Sequence, residues 1–262
     1  MTRHSLTERA ALADLLLDVG PDAPTLCEGW TARDLAAHLV VRDRAPIATL
    51  GTFLKPLHGY GERTRLRAAA LPYPELVARV RKAPWWSPTS NVVIDPGANT
   101  GEFFIHHEDV RRGAPGWQPR TLDPDLDAKL WANARFVGRL ALRRFPAALT
   151  VVSPGHGEFT GGAGGEPVRL IGAPGELALF ISGRQRATRV QIDGPPALAD
   201  RLRTGGLKLC GPAAWVRRGP LDRERSVDHV EQAVRGAGAG AGHHVRRGVV
   251  DQVVAHLRRG VG

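Results

Sequence analysis

The chain has 262 residues, 42% hydrophobic and 24% charged, with a formal net charge of +10. This length supports one large or two small domains, and no apolar run approaches the roughly 20 residues that a membrane-spanning helix needs. Only four of the 36 basic residues are lysines, and the arginines are scattered in ones and twos along predicted helices instead of forming a stripe. We therefore expect neither a nucleic-acid partner nor a membrane partner.

The N-terminus and the cysteines bear on the cellular compartment. The first residues lack the apolar core and the small-residue cleavage site of a secretion signal, so we expect a cytoplasmic protein. Cys27 and Cys210 lack the spacing of a zinc knuckle, and a reducing cytoplasm disfavours a disulfide between them. Cys27 lies just before the Trp30 segment and is interpreted as a small buried residue, with a thiol near a functional site as the alternative.

Helical patterns fill the first part of the chain. Apolar residues three and four apart, preceded by capping residues and followed by Gly or Pro, predict helices. The predicted segments are 5–19, 31–44, 74–82, 101–112 and 124–145, and the predicted loops include 51–73 and 83–98. The candidate caps are Ser5 with Glu8, Thr31 with Asp34, Asn99 or Thr100, and Asp123. Antiparallel helices joined by short loops favour a helical bundle over residues 1–146.

The pattern changes after residue 146. Strand-like alternation between Gly-rich turns predicts strands at 148–152, 166–171 and 187–192, and helices are predicted at 174–184 and 195–203. We predict an α+β fold that is mainly α, with a bundle followed by a small α+β domain over 147–210. Residues 211–262 are of low complexity and are predicted to form a poorly ordered extension.

Two predicted helices carry the residue types of a metal site. Glu102 and His106 lie four residues apart and therefore project from one helix face, while His38 lies on the inward stripe of the second helix. Apolar neighbours favour burial of these side chains, and buried Glu and His need partners. Two imidazoles and one carboxylate leave a position open on a divalent metal, as catalytic sites require. An intrahelical hydrogen bond on a solvent-facing surface is the alternative for the Glu102–His106 pair.

The neighbouring polar residues have structural alternatives. Asp109, one turn beyond His106, is expected either to orient that imidazole or to pair with Arg112. His107 points to another face and is interpreted as a surface or packing residue, although a shift in helix register would make it the ligand. Asp34 is interpreted as the capping partner of Thr31.

The two segments resemble a known family. Residues 30–39 read Trp-Thr-Ala-Arg-Asp-Leu-Ala-Ala-His-Leu, and residues 102–109 read Glu, three residues, His, two residues, Asp. Both are similar to the metal-binding motifs of the DinB-like superfamily, in its mycothiol-dependent maleylpyruvate isomerase branch. The resemblance extends over about residues 5–205, including Gly183 and Arg184 after a predicted helix. It implies a DinB-like four-helix bundle at the N-terminus.

The resemblance also implies a function. His38, Glu102 and His106 would ligate a divalent metal, usually zinc, although nickel, iron or manganese also suits these ligands. The metal would activate the thiol of mycothiol for attack on an electrophilic small molecule, in an isomerase or S-transferase of actinobacterial origin. Arg42 and Arg184 are candidate residues for holding the cofactor.

Two other functions are compatible with the sequence. One is a metal-binding protein of the same fold without catalytic turnover, and the other is a basic regulatory or nucleic-acid-associated protein. Both a monomer and a homodimer are compatible with the sequence.

Overall fold

The computed structural model describes residues 3–49, 51, 55–87 and 96–204, so the predicted extension at 211–262 lies outside the described part. The helices of the first part are α1 (Arg3–Val19), α2 (Ala32–Arg44), α3 (Pro46–Thr49), α4 (His58–Ala69), α5 (Tyr73–Arg81), α6 (Pro96–Arg111) and α7 (Pro124–Leu142). They are followed by β1 (Ala148–Ser153), β2 (Gly157–Gly161), β3 (Pro167–Ile171), α8 (Pro174–Ile181), β4 (Gln191–Asp193) and α9 (Pro196–Arg203). The α+β, mainly α class is confirmed.

The bundle is built around α1, α2, α5 and α6. Helix α1 packs on α6 and α5, α2 packs on α4 and α5, and α6 also packs on α7. Leucines at helical spacing supply the core, including Leu12, Leu16, Leu35 and Leu39, and Phe103 of α6 joins them. Within the described residues, none of the helices combines the length and apolar character of a membrane span.

The predicted loop over 51–73 was wrong in part, because α4 lies within it. The helix was missed because it has no clear apolar stripe. Arg65 on its inner side is buried and pairs with Glu62 at 2.7 Å and with Asp34 of α2 at 2.5 Å. An ion-pair network therefore attaches α4 to the bundle. Apolar periodicity in the sequence does not reveal a contact of this kind.

Two predicted caps were correct. The Thr31 N–H donates to Asp34 Oδ2 at 3.1 Å at the start of α2, and Asp123 Oδ1 accepts from the Asp125 N–H at 2.9 Å at the start of α7. The caps predicted for α1 and α6 were wrong, because both helices begin earlier in the chain. Ser5 and Glu8, and likewise Asn99 and Thr100, lie inside their helices.

The second part is a four-stranded sheet covered on one face by helices. The strand order is β2-β1-β3-β4, with β1 parallel to β3 and the other pairs antiparallel. Val151 in β1 pairs with Phe159 and Leu170, and all three are buried. Strand β2 was not predicted because Phe159 is its only large apolar residue. Every residue of α8 is buried, and this helix packs on α7 and α6.

The sequence predicts an apolar stripe for the helix over 124–145 through Leu126, Leu130, Phe136 or Val137, and Leu140, and this stripe was only partly correct. Leu126 and Leu130 are buried, and Val137 is half-buried. Phe136 and Leu140 instead lie on the outer face, 80% and 57% exposed. Helix α7 therefore carries a second, outward-facing apolar pair in addition to its buried stripe.

Candidate metal centre

Three potential ligands from α2 and α6 converge at one point. His38 Nε2 lies 3.6 Å from Glu102 Oε1, and His106 Nε2 lies 3.3 Å from the same oxygen. The two imidazole rings are 5.3 Å apart between centroids and inclined at 67°. The three donor atoms lie within 4.8 Å of one another, which is compact enough for a single ion to contact all three.

The packing of the two helices produces this convergence. Helix α2 buries Leu35 and Leu39 in the bundle core, and His38, three residues after Leu35, lies beside them at the edge of that core. Helix α6 buries Phe103 in the same core and Phe104 in a separate cluster beside α7 and α8. The face of α6 that carries positions 102, 106 and 109 is consequently turned toward α2.

The three donor side chains are partly exposed. The side chains of His38, Glu102 and His106 are 16%, 28% and 10% exposed. Fully buried ligands would instead indicate a closed structural site. This partial exposure therefore suits a centre that admits another molecule.

A buried carboxylate orients His106. Asp109 Oδ2 lies 2.9 Å from His106 Nδ1, and its side chain is completely buried. An ionised carboxylate only accepts hydrogen bonds, so Nδ1 carries a proton that it donates to Asp109. In the neutral ring, the lone pair of Nε2 is then free to bind a metal. Of the two predicted alternatives for Asp109, the contact with His106 is observed. Arg112 instead pairs with Glu108 and Glu176.

Asp109 is held from the other side by residues distant in sequence. Arg184 donates from Nε to Asp109 Oδ1 at 2.8 Å and from Nη2 to Oδ2 at 2.6 Å. The Cys27 thiol donates to Oδ2 at 3.2 Å. Burial raises the pKa of Asp109, but the Arg184 charge and the His106 bond outweigh this effect and hold it well below its usual value. The carboxylate is therefore ionised and fixed in direction.

The charge states of the three donors follow from their surroundings. Burial raises the pKa of Glu102, but Arg42 and the two imidazoles outweigh burial and hold it well below its usual value. Burial lowers the pKa of His38. Burial would also lower the pKa of His106, but its bonds to Asp109, Cys27 and Glu102 raise it well above its usual value. A metal entering this centre would therefore displace a proton from His106.

Cys27, His106 and Asp109 form a second group whose donor atoms lie within 4.8 Å of one another. The Arg184 Nη2 atom lies 2.6 Å from Asp109 Oδ2 and 3.5 Å from Cys27 Sγ, so a cation already faces these atoms. Burial raises the pKa of the Cys27 thiol, which disfavours the thiolate that a metal would bind. We interpret this group as the support of His106. Cys27 is buried, as interpreted from the sequence, and its thiol also lies beside the centre, which was the alternative.

The remaining predicted site residues lie close to the centre. Arg42 Nε is 3.4 Å from Glu102 Oε1, and its Nη2 donates to Asn99 Oδ1 at 2.7 Å. Arg184 lies behind His106, where it also donates to the carbonyl oxygen of Ser182 at 2.6 Å. The roles of Arg42 and Arg184 in holding a cofactor stay predictions.

His107 lies away from the three donors. Its Nδ1 is 2.8 Å from Glu8 Oε2 of α1, and both side chains are buried. Arg120 donates to both carboxylate oxygens of Glu8. His107 is thus a packing residue in an ion-pair network, and the surface alternative was wrong.

Comparison with known proteins supports the resemblance inferred from the motifs. Residues 2–84 match the family model of the mycothiol maleylpyruvate isomerase N-terminal domain. This match confirms the resemblance for the part of the chain that contains His38, and it ends before α6. No curated protein matches the chain significantly.

Two solved structures are similar to this chain. The crystal structure of a mutant of the mycothiol-dependent maleylpyruvate isomerase has a TM-score of 0.51 at 15% identity, covering 74% of this chain and 93% of that chain. The crystal structure of the mycothiol-dependent maleylpyruvate isomerase has a TM-score of 0.47 at 18% identity, covering 74% of this chain and 96% of that chain. At 15% identity, the first likeness shows a shared fold.

Proposed function

We propose that the chain is a metal-dependent enzyme that uses mycothiol, with isomerase or S-transferase activity on an electrophilic small molecule. The observation that carries the proposal is the convergence of His38, Glu102 and His106 within 4.8 Å at a partly exposed point. The family model matched by residues 2–84 supports the choice of thiol.

The residues present fit a divalent metal. Two imidazoles and a carboxylate form a common catalytic ligand set, and a buried carboxylate on the far nitrogen of His106 matches the support that metal-bound histidines usually have. Zinc is the proposed ion, with nickel, iron and manganese as alternatives. A bound metal would lower the pKa of a thiol and so supply a nucleophile at neutral pH.

The chain's own residues would prepare the centre for that chemistry. Asp109 fixes the direction of His106, and Arg42 keeps Glu102 ionised. The ring of Trp30 lies 5.3 Å from that of His38 and forms an aromatic wall beside it. The guanidinium of Arg42 provides a positive group for an acidic part of the cofactor or substrate. Arg184 is proposed to serve the cofactor indirectly, through Asp109.

Metal analysis of the purified protein tests the first step. Wild type is expected to hold about one equivalent of metal because three protein ligands converge, and His38→Ala is expected to lose it. His156→Ala, at the turn between β1 and β2, is the matched control and should retain metal. Equal trace metal in wild type and His38→Ala would refute the centre.

A thiol-transfer assay tests the second step. Metal-loaded wild type is supplied with mycothiol and a panel of electrophiles, and product formation is followed by mass spectrometry. Loss of the metal should slow the reaction by roughly a thousandfold, since metal stabilisation is worth several kcal/mol. Bound metal without turnover on any electrophile would favour the non-catalytic alternative.

A further inference from the structure

The outer face of α7 carries exposed apolar and cationic side chains in one stripe. Phe136, Arg139, Leu140 and Arg143 follow one another at positions i, i+3, i+4 and i+7, which lie on the same side of a helix. All four are exposed, with Phe136 at 80% and Leu140 at 57%. An exposed aromatic side chain beside an exposed leucine marks a contact surface more often than a scatter of single apolar residues does.

The charge around this stripe has one sign. Residues 128–157 contain no Asp or Glu, whereas Arg135, Arg139, Arg143 and Arg144 are all exposed. Within the described residues, none of the four arginines pairs with a carboxylate. The nearest acidic residue of the adjacent strand, Glu158, alternates with the inward-facing Phe159 and therefore points to the opposite face of the sheet.

We propose that this face of α7 docks on an anionic lipid surface. Phe136 and Leu140 would enter the boundary between headgroups and acyl chains. The arginines would extend their guanidinium groups to the lipid phosphates while their aliphatic stems stay on the apolar side. This partner departs from the sequence-based expectation that the chain has no membrane partner.

Charge and shape disfavour other partners for this face of α7, namely a second copy of the chain, the chain's own C-terminal residues or another folded protein. A second copy of the chain would bring two arginine-rich faces together. Residues 205–262 of the same chain hold ten basic and five acidic residues and are therefore also cationic. Two apolar side chains on a convex helix offer much less than the roughly 1,200 Å² that a stable protein interface buries. A lipid surface needs no matching concave pocket, because it deforms around the side chains that enter it.

Vesicle co-sedimentation of the full chain tests the proposal. We expect wild type to sediment with vesicles of phosphatidylcholine and phosphatidylglycerol but not with phosphatidylcholine alone, and salt to weaken the binding. Phe136→Ser with Leu140→Ser should reduce binding by about tenfold or more. Arg143→Gln with Arg144→Gln should reduce it by about 25-fold, at about fivefold for each arginine. All four side chains are exposed, so the variants are expected to fold normally.

The matched control lies on α4, where Leu66→Ser with Arg63→Gln makes the same chemical changes at exposed positions. This control should bind anionic vesicles like wild type. The proposal is overturned if wild type does not bind anionic vesicles, or if the α4 and α7 variants bind equally. It is also overturned if binding through Phe136 occurs only with duplex DNA or polyglutamate, which would assign the face to a nucleic acid or an acidic protein.

Discussion

The imidazole of His106 faces a different carboxylate with each of its nitrogens. Nε2 lies 3.3 Å from Glu102 and Nδ1 lies 2.9 Å from Asp109. Because Asp109 is fixed by Arg184 and Cys27, the ring has little freedom to rotate. Buried groups therefore fix the direction of His106 Nε2, which is the nitrogen that faces the other two donors.

Asp109→Asn should weaken metal binding while leaving all three donors in place. Loss of a carboxylate behind a metal-bound histidine costs about 10- to 100-fold in affinity. The dissociation constant can be measured by competition with a chromophoric chelator, and the visible spectrum of the cobalt-loaded protein reports the ligand geometry.

The control for this substitution is Glu176→Gln, which also breaks a buried ion pair but does not contact His106. It should destabilise the protein and leave the metal affinity unchanged. If both variants bound metal as wild type does, Asp109 would have no orienting role.

The sequence allowed the local half of this arrangement to be predicted. Glu102, His106 and Asp109 share one helix face, which follows from their spacing alone. Arg184 and Cys27 reach Asp109 across 75 and 82 residues of chain, and no periodic pattern encodes such distances. A basic residue after a buried helix often only faces solvent, and a cysteine before a motif often only packs. The positions of Arg184 and Cys27 in the sequence therefore do not reveal their contacts with Asp109.

At the level of elements, the contact between α7 and the sheet depends on a glycine. A Cβ added at Gly138 would lie 2.7 Å from Cζ of Phe159 and 3.1 Å from Cδ1 of Ile181. Both neighbours are almost completely buried, so neither side chain can move aside freely. The glycine weakens the helix but lets α7 approach β2 and α8 closely.

Gly138→Ala should therefore destabilise the protein. Ala is favoured over Gly in a helix by about 1 kcal/mol, but overpacking a filled core costs about 1–3 kcal/mol. We expect a net loss of up to about 2 kcal/mol, measured as a lower urea midpoint with an unchanged m value. Gly59→Ala in α4 would meet only the flexible end of Arg63 at 3.4 Å and should be neutral or stabilising. A more stable Gly138→Ala protein would show that the contact is loose.

Element prediction succeeded where a cap and an apolar stripe occurred together. Helices α2 and α7 have both, and their starts were predicted correctly. Helix α4 and strand β2 lack this combination: α4 buries the ion-paired Arg65 on its inner side, and Phe159 is the only large apolar residue of β2. The exposed Phe136 fitted the predicted stripe of α7, because spacing alone does not distinguish a buried aromatic residue from an exposed one.

At the scale of the whole molecule, α8 connects the bundle to the sheet. Glu176 at its start binds the guanidinium of Arg112, the residue after α6, at 2.6 and 3.2 Å and accepts the N–H of Arg189 at 2.6 Å. Arg112 also donates to Glu108 at 2.6 Å. These buried charges lie beside the cluster formed by Phe104, whose members come from α6, α7 and α8. The two parts of the chain therefore share both polar and apolar contacts.

Glu176→Gln should lower the free energy of unfolding of the whole protein by about 3 kcal/mol, because it leaves a buried arginine without its full compensation. Added salt should change this loss little, since buried pairs are weakly screened. Urea unfolding followed by circular dichroism and by tryptophan fluorescence measures the loss and its cooperativity.

The control breaks an exposed pair of the same type. Glu75 and Arg79 are 2.7 Å apart and 48% and 40% exposed, so Glu75→Gln should cost no more than about 0.5 kcal/mol. Equal losses of unfolding free energy in Glu176→Gln and Glu75→Gln would mean that the Arg112–Glu176 pair does not hold the bundle and the sheet together.

The contact between Arg184 and Asp109 has an evolutionary consequence. The donors lie in the N-terminal part of the chain, but the residue that steadies them lies beyond the sheet strand β3. Exchange of the second part for an unrelated one would leave a buried carboxylate without its cation, in direct contact with His106. Substitutions at positions 109 and 184 are therefore expected to be coupled during divergence, and a lineage that loses the arginine should also change the carboxylate. We therefore expect the two parts to be inherited together, because the orientation of His106 in the first part depends on Arg184 in the second.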